Sequence, residues 1–282
     1  MREPFPGIPA EPFFLKADHG TRYCLYHSPR STHECRGALI YIHPFGDEMN
    51  KARRMAAVQA RSFAESGFGV LQIDLFGCGD SSGEFREARW DIWKRDLEIA
   101  REWVEDRTEA PLGLWGLRLG ALLALDFAKT SPHGIQRIIL WQPVTSGESF
   151  LTQFLRLQLA NEMLAGDKEK KGGTSILRDA LAAGKTLEVG GYELAPELAA
   201  TIDGLKAAEL IVKGTRIHWF EVVAEDGRNL PPSAKKTVNI WEQHDVDLHT
   251  HLVTCLPFWA TQEISECAQL VAATTKAYSP IG

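Results

Sequence analysis

Leu112 to Leu125, LGLWGLRLGALLAL, restricts the fold of this chain more than any other stretch. A short apolar strand runs into a Gly-bounded turn and then into a helix that is apolar all round. Neither element has a polar face to give to water. The strand therefore belongs inside a sheet covered on both faces, with the helix packed upon it. The turn is Gly116-Leu117-Arg118-Leu119-Gly120. A glycine at each end permits a tight, strained reversal that pushes the middle side chain above the sheet. That side chain is Arg118, whose guanidinium stays protonated and cannot act as a nucleophile.

The flanking sequence repeats the strand–helix alternation. Pro12 to Pro29 reads as a β-hairpin turning at His19-Gly20, and Ala38–Ile42 as a buried strand running into His43-Pro44-Phe45-Gly46. Asp47 suits a helix N-cap. Ala52, Met55, Ala56, Ala60, Phe63 and Ala64 follow at helical spacing up to Gly67. A strand over Gly69–Asp74 opens into the loop Phe76-Gly77-Cys78-Gly79-Asp80-Ser81-Ser82-Gly83, and Trp90, Trp93, Leu97, Ala100 and Val104 step along a helix. Strands at Ile138–Trp141, Ile217–Val223 and Val246–Val253, a helix from Ser233 and a last helix after Pro257 complete a mostly parallel sheet. Ser146 to about Lys213 breaks the rhythm. It holds a helix over Phe150–Leu164, a polar loop at Gly166–Gly173 and a turn at Gly190-Gly191. We read it as a cap inserted over the strand ends, with 1–145 and 214–282 as the core and 146–213 as the insertion.

At 282 residues and 44% apolar the chain can bury a sizeable core, and a net charge of −6 argues against a nucleic-acid partner. Cys24, Cys35, Cys78, Cys255 and Cys267 form no C-x-x-C pair, which reads as reduced thiols in a cytoplasmic protein rather than a disulfide frame or zinc site. The proline-rich start, MREPFPGIPAEPFF, is neither a signal peptide nor a spanning helix, and no membrane span is expected further on.

In order, the hairpin, the H-P-F-G loop, the D-x-F-G-x-G-x-S-x-G loop, the Gly-bounded turn, the insertion and the acid-bearing strand resemble the α/β-hydrolase superfamily over nearly the whole chain. More narrowly, HPFGDEMNKARRM, GLWGLRLGALLAL and LPFWATQEI resemble the second hydrolase family associated with the exosortase A system, found in bacteria that sort PEP-CTERM proteins and make exopolysaccharide. The resemblance implies an α/β-hydrolase fold of about eight strands with helices on both faces. It makes Gly116–Gly120 the nucleophile elbow, where the middle residue is normally Ser, Cys or Asp.

It also distributes site roles. Phe45 and Gly46 fall in the loop that donates an oxyanion-hole N–H, and Leu119 follows the elbow residue. Glu225 and Asp226 hold the acid position, although Asp226-Gly227 is also an ordinary turn. Glu48, Arg53 and Arg54 occupy the first turns of the helix after Gly46. Two arginines there oppose the helix dipole, so one of them facing a ligand or a carboxylate competes with a solvated face. Cys78 is an alternative nucleophile or a small loop residue. The loop after the last strand, Cys255-Leu256-Pro257-Phe258-Trp259, lacks the expected histidine. His249 and His251 share a strand face with no evident third metal ligand.

With the nucleophile and histidine both missing, the residues favour a hydrolase-fold protein that binds a small anionic or acyl ligand, or a protein partner not identifiable from sequence. No cofactor or metal is implied. The alternative is an ester or thioester hydrolase, or an acyl-transfer enzyme, using Cys78 or an activated water. Arg118 requires a counter-charge, from Glu225/Asp226, Glu48, Asp80 or an anionic ligand.

Overall fold

The computed structural model describes residues 10–31, 35–164 and 173–278; the expectations placed on residues 1–9 and 166–172 lie outside these. The hairpin forms from β1 (Glu11–Ala17) and β2 (Gly20–His27). β3 (Gly37–Ile42), α1 (Asp47–Glu65), β4 (Phe68–Ile73), α2 (Trp90–Glu105), β5 (Leu112–Leu117), α3 (Leu119–Thr130) and β6 (Ile135–Trp141) then alternate. α4 (Gly147–Leu164), α5 (Thr174–Ala182), the small antiparallel pair β7 (Leu187–Val189) and β8 (Tyr192–Leu194), and α6 (Pro196–Gly204) intervene. β9 (Arg216–Val223), α7 (Pro232–Gln243), β10 (Leu248–Thr254) and α8 (Ala268–Tyr278) complete the described chain. No helix among the described residues is long and apolar enough to cross a membrane.

The eight long strands form one sheet in the order β1-β2-β4-β3-β5-β6-β9-β10. β2 pairs antiparallel with both β1 and β4, and every other pairing is parallel. β5 lies between β3 and β6 with all six residues buried, as its unbroken apolar run requires. One sheet face carries Ile40, Leu71, Leu114 and Ile138 against α2, α3 and α7. The other carries Leu39, Val70, Trp115 and Ile139 against α1 and α8. α1 buries Ala52, Ala56 and Ala60, small residues that let it approach the sheet closely.

Two local expectations need correction. Gly46, not Asp47, occupies the N-cap of α1, which puts Asp47 and Glu48 in the first turn, where carboxylates suit the dipole. The last helix begins only at Ala268, because residues 258–266 run as turns and irregular backbone. Between β6 and β9, α4 packs on the loop that follows β3. Phe150 and Phe154 of α4 meet Phe45 edge-on, with ring centroids at 5.6 and 5.0 Å. Lys206 closes a backbone bridge to Ser146 at the base of the segment.

Candidate functional site

The head of α3 is built by missing side chains. A Cβ on Gly120 would lie 2.4 Å from the carbonyl oxygens of both Ile42 and His43, and one on Gly116 would lie 2.5 Å from Ala121 Cα. Both glycines thus let α3 start directly on the ends of β3 and β5. The left-handed backbone falls between them, on Arg118, with φ 56° and ψ −117°. Such a non-glycine conformation costs on the order of 1–3 kcal/mol and persists only where its surroundings fix it. Here the Arg118 N–H donates to Trp141 O at 2.9 Å, and its carbonyl accepts from Ala121 and Val144.

Arg118 Nε donates to Glu48 Oε1 at 3.2 Å. Their side chains are 17% and 23% exposed, so water screens the pair only partly. Glu48 Oε2 is buried with no hydrogen-bond partner. Burial pushes the Glu48 carboxyl above its ordinary value, and Arg118 pulls against that shift. The guanidinium carbon also lies 5.7 Å from the centre of the Trp259 ring, a cation–π distance. Among the described residues, that bond to Glu48 is the one hydrogen bond the Arg118 side chain makes.

This ion pair forms one wall of an open cavity of about 320 Å³. Phe45, Phe150, Phe154 and Tyr192 form an aromatic side, Trp259 another, and Lys51 adds a second cation. None of the described residues lining it is Ser, Cys or His. Leu119 heads α3, and the first N–H groups of a helix have no intrahelical acceptor.

The remaining candidate residues are placed elsewhere. Gly46, Leu119 and Cys78 surround a gap of only about 10 Å³ behind Phe45, enough for one water at most. Cys78 is 8% exposed, and burial, reinforced by the Asp74 and Asp96 carboxylates, pushes its thiol far up. A nucleophilic thiolate is strongly disfavoured there. Arg53 forms a two-pronged pair with Asp74, at 3.0 and 3.4 Å, and Asp74 also accepts the Asp80 N–H. Arg54 pairs with Glu266. Neither arginine lines the Arg118 cavity. Glu225 and Asp226 lie exposed after β9, bonded to Arg228 and Thr254. His43 is buried; its Nε2 accepts the Leu75 N–H at 3.2 Å, which assigns the proton to Nδ1, donating to Pro44 O. His249 bonds to Asp247, and His251 reaches His218 Nδ1 at 3.1 Å on the sheet face.

Three residues of this region escaped the sequence reading. Trp259 comes from the loop after β10, where a histidine is expected. Glu221 is buried at 3% exposure, accepting from Trp219 Nε1 at 2.8 Å and Gln142 Nε2 at 2.9 Å. Burial raises its carboxyl, while its two donors and the Arg118 charge oppose the shift. Gln142, itself at φ 43°, accepts from the Val222 N–H and joins β6 to β9. The available signal was an acid at the inward-facing positions of the strand IHWFEVV, shared with Ile217 and Trp219.

Residues 33–186, more than half of the chain, match the family model for the serine aminopeptidases S33. The chain belongs to the serine aminopeptidase S33 family. A stretch of 158 residues is 26% identical to Protein ABHD12B of Homo sapiens, covering 48% of this chain and 41% of that protein, so the S33 chain spans less than half of this relative. Est1E from Butyrivibrio proteoclasticus, solved with ferulic acid bound, superposes with a TM-score of 0.66 at 14% identity over 94% of this chain and 95% of that one. A thermostable carboxyl esterase from Bacillus coagulans, in complex with glycerol, gives 0.60 at 15% identity over 87% and 90%. An α/β serine hydrolase homologue from Coxiella burnetii gives 0.54 at 12% identity over 96% and 99%. At these identities the likeness is one of fold, and the fold of this S33 chain is the α/β-hydrolase fold.

Proposed function

We propose that this S33-family chain binds a small anionic or acyl ligand in the cavity beside Arg118, and that Arg118 stands in the place of the elbow nucleophile. The carrying observation is the Arg118 guanidinium itself. It is held at the strained head of α3 on the cavity wall, with one of its donors on Glu48 and the others available to a ligand. A carboxylate or phosphate would take those donors in a forked pair, helped by Lys51 and by the positive end of α3. The ligand's apolar body would lie against Phe45, Phe150, Phe154 and Tyr192, and residues 146–213 would act as the cap above it.

Acyl transfer by the Ser-His-Asp route needs a hydroxyl and an imidazole that activates it, then protonates the leaving group. Among the described residues the cavity lining supplies neither. Ester or thioester hydrolysis through Cys78 has less support, because that thiol is buried outside the cavity and held protonated. The resemblance of three segments to the exosortase A system-associated hydrolases supports a cytoplasmic role in bacteria that sort PEP-CTERM proteins and make exopolysaccharide.

We expect no labelling by fluorophosphonate probes and turnover of p-nitrophenyl esters at the uncatalysed rate. Aromatic carboxylates, with ferulic acid as the first probe, should raise the melting temperature of the wild type and leave Arg118→Ala unmoved. Robust esterase activity abolished by replacing a single serine would overturn the reading.

A further inference from the structure

A second cavity, of about 190 Å³, lies between α1 and the strands β2, β3 and β4, and it shares no lining residue with the Arg118 cavity. Leu25, Gln72 and Tyr41 stand side by side in register across those strands. Gln72 is the anomaly. It sits inside β4, which is paired on both sides, and on the sheet face that Leu39 and Val70 give to α1. Its Nε2 is buried without a hydrogen-bond partner, and among the described residues its Oε1 has none either. The Tyr41 hydroxyl is likewise unpartnered among the described residues, although Tyr41 is only 5% exposed. Polar groups left unmatched inside a sheet cost stability, so their presence needs a reason.

The cavity carries no net charge. Arg53 and Asp74 are the charged groups among its described lining residues, and they hold each other at 3.0 and 3.4 Å. His43 is kept neutral by burial and already uses both ring nitrogens, on the Leu75 N–H and the Pro44 carbonyl. An ion entering would find no counter-charge. What remains unmatched is a planar amide beside a hydroxyl. The amide offers a donor and an acceptor on one edge and can turn to present either, and the hydroxyl does both. Leu25, Met49, Ala56, Ala57 and Ile73 make the rest of the lining apolar. A dry cavity of roughly 150 Å³ holds benzene, so this one has space for a ring and a polar group beyond it.

We propose that this cavity is a second ligand site, which takes a small uncharged carboxamide with an apolar body. The ligand's amide pairs edge to edge with Gln72 through two reciprocal N–H···O bonds, as a glutamine pairs with the donor–acceptor edge of adenine. Tyr41 donates to the second lone pair of the ligand's carbonyl oxygen. A lone hydroxyl would meet only one of the two amide atoms, and a carboxylate would bring an uncompensated charge. The Arg53 side chain is 44% exposed, so the cavity reaches solvent at that end. The site does not depend on what the Arg118 cavity binds.

Benzamide is the probe. Titrated into the isotope-labelled full chain, it should shift the Gln72 side-chain amide resonance saturably, with a dissociation constant on the order of 1 mM or tighter. At about ten times that concentration it should raise the melting temperature by about 3 °C. Toluene, which has the ring and no amide, should give less than about a third of that rise. Gln72→Met keeps the length of the side chain without its amide. It should melt no lower than the wild type, since an unmatched buried group is removed, and should bind benzamide at least about 10-fold more weakly. A glutamine that merely held the fold would lower the melting temperature when replaced. Ala57→Leu fills the cavity from α1, leaves Gln72 in place and should also lose the response. Arg118→Ala should keep it. The proposal is overturned by any of five results: no saturable shift, equal stabilisation by toluene, a less stable Gln72→Met, a response that survives in Gln72→Met or Ala57→Leu, or a response that disappears in Arg118→Ala.

Discussion

Gly120→Ala should lower stability by about 3 kcal/mol or more, a fall in melting temperature of at least about 6 °C for a chain of this size. Helix propensity points the other way, since alanine is favoured over glycine inside a helix by about 1 kcal/mol. The outcome therefore measures the steric term. The new methyl group would lie 2.4 Å from two carbonyl oxygens, of Ile42 and His43. Ile42 ends β3, a central strand paired on each side, and His43 follows it directly, so neither can yield without displacing α3 from the sheet. Gly204→Ala is the matched control. It closes α6, has no atom within 4 Å of the added Cβ, and should be neutral or slightly stabilising. Thermal denaturation of the two variants beside the wild type decides the matter. Equal melting temperatures would show that the head of α3 has slack, and the strained placement of Arg118 would lose its cause.

The same contact explains why the fold was legible from sequence. Gly116 and Gly120 announce a close approach of helix to strand, and the all-apolar run between Leu112 and Leu117 has no stable place except mid-sheet. Alternating strands and helices then leave little choice of architecture. Element ends were less legible. Residues 258–266 carry Pro257 just before them and no clear helical period, and the chain holds them by local turns such as Thr261 Oγ1 to Glu263 O.

Much of the site was not legible, for a physical reason. Charge placement on one helix says that a cation needs a partner and not which one. Arg53 and Arg54 oppose the dipole of α1, yet each is matched from far along the chain, by Asp74 at the end of β4 and by Glu266 before α8. Of the carboxylates considered for Arg118, Glu48 is the one in contact, 70 residues away in sequence. Glu225 and Asp226 carry a turn pattern that fits an exposed bend as well as a catalytic acid, and here they lie in solvent. Trp259 is not legible as a site residue because its loop is where the fold normally places an imidazole, whereas an aromatic face also serves a guanidinium.

Arg118→Ala should cost about 1–3 kcal/mol without any ligand, between the value of an exposed pair and that of a fully buried one. The loss arises on Glu48, which would keep a carboxylate with one oxygen already unpartnered and the other newly so. Alanine retains the left-handed φ of 56°, so it relieves no strain; Arg118→Gly does, and should be the more stable of the two variants. The pH dependence has a definite sign. Burial raises the Glu48 carboxyl above 4.5 in the folded chain. An acid raised on folding contributes stability that is full below its unfolded value and is lost as pH climbs through its folded value. Arg118 limits that loss by favouring the charged form, so its removal deepens it. The deficit of Arg118→Ala should therefore be small near pH 4.5 and grow toward neutrality. It should shrink again in the double variant with Glu48→Gln, which has no charge to strand. Melting curves of the wild type, both Arg118 variants and the double variant between pH 4 and 8 provide the check. A deficit that ignores pH, or survives undiminished in the double variant, would mean that the guanidinium is anchored by Trp259 and the cavity rather than by Glu48.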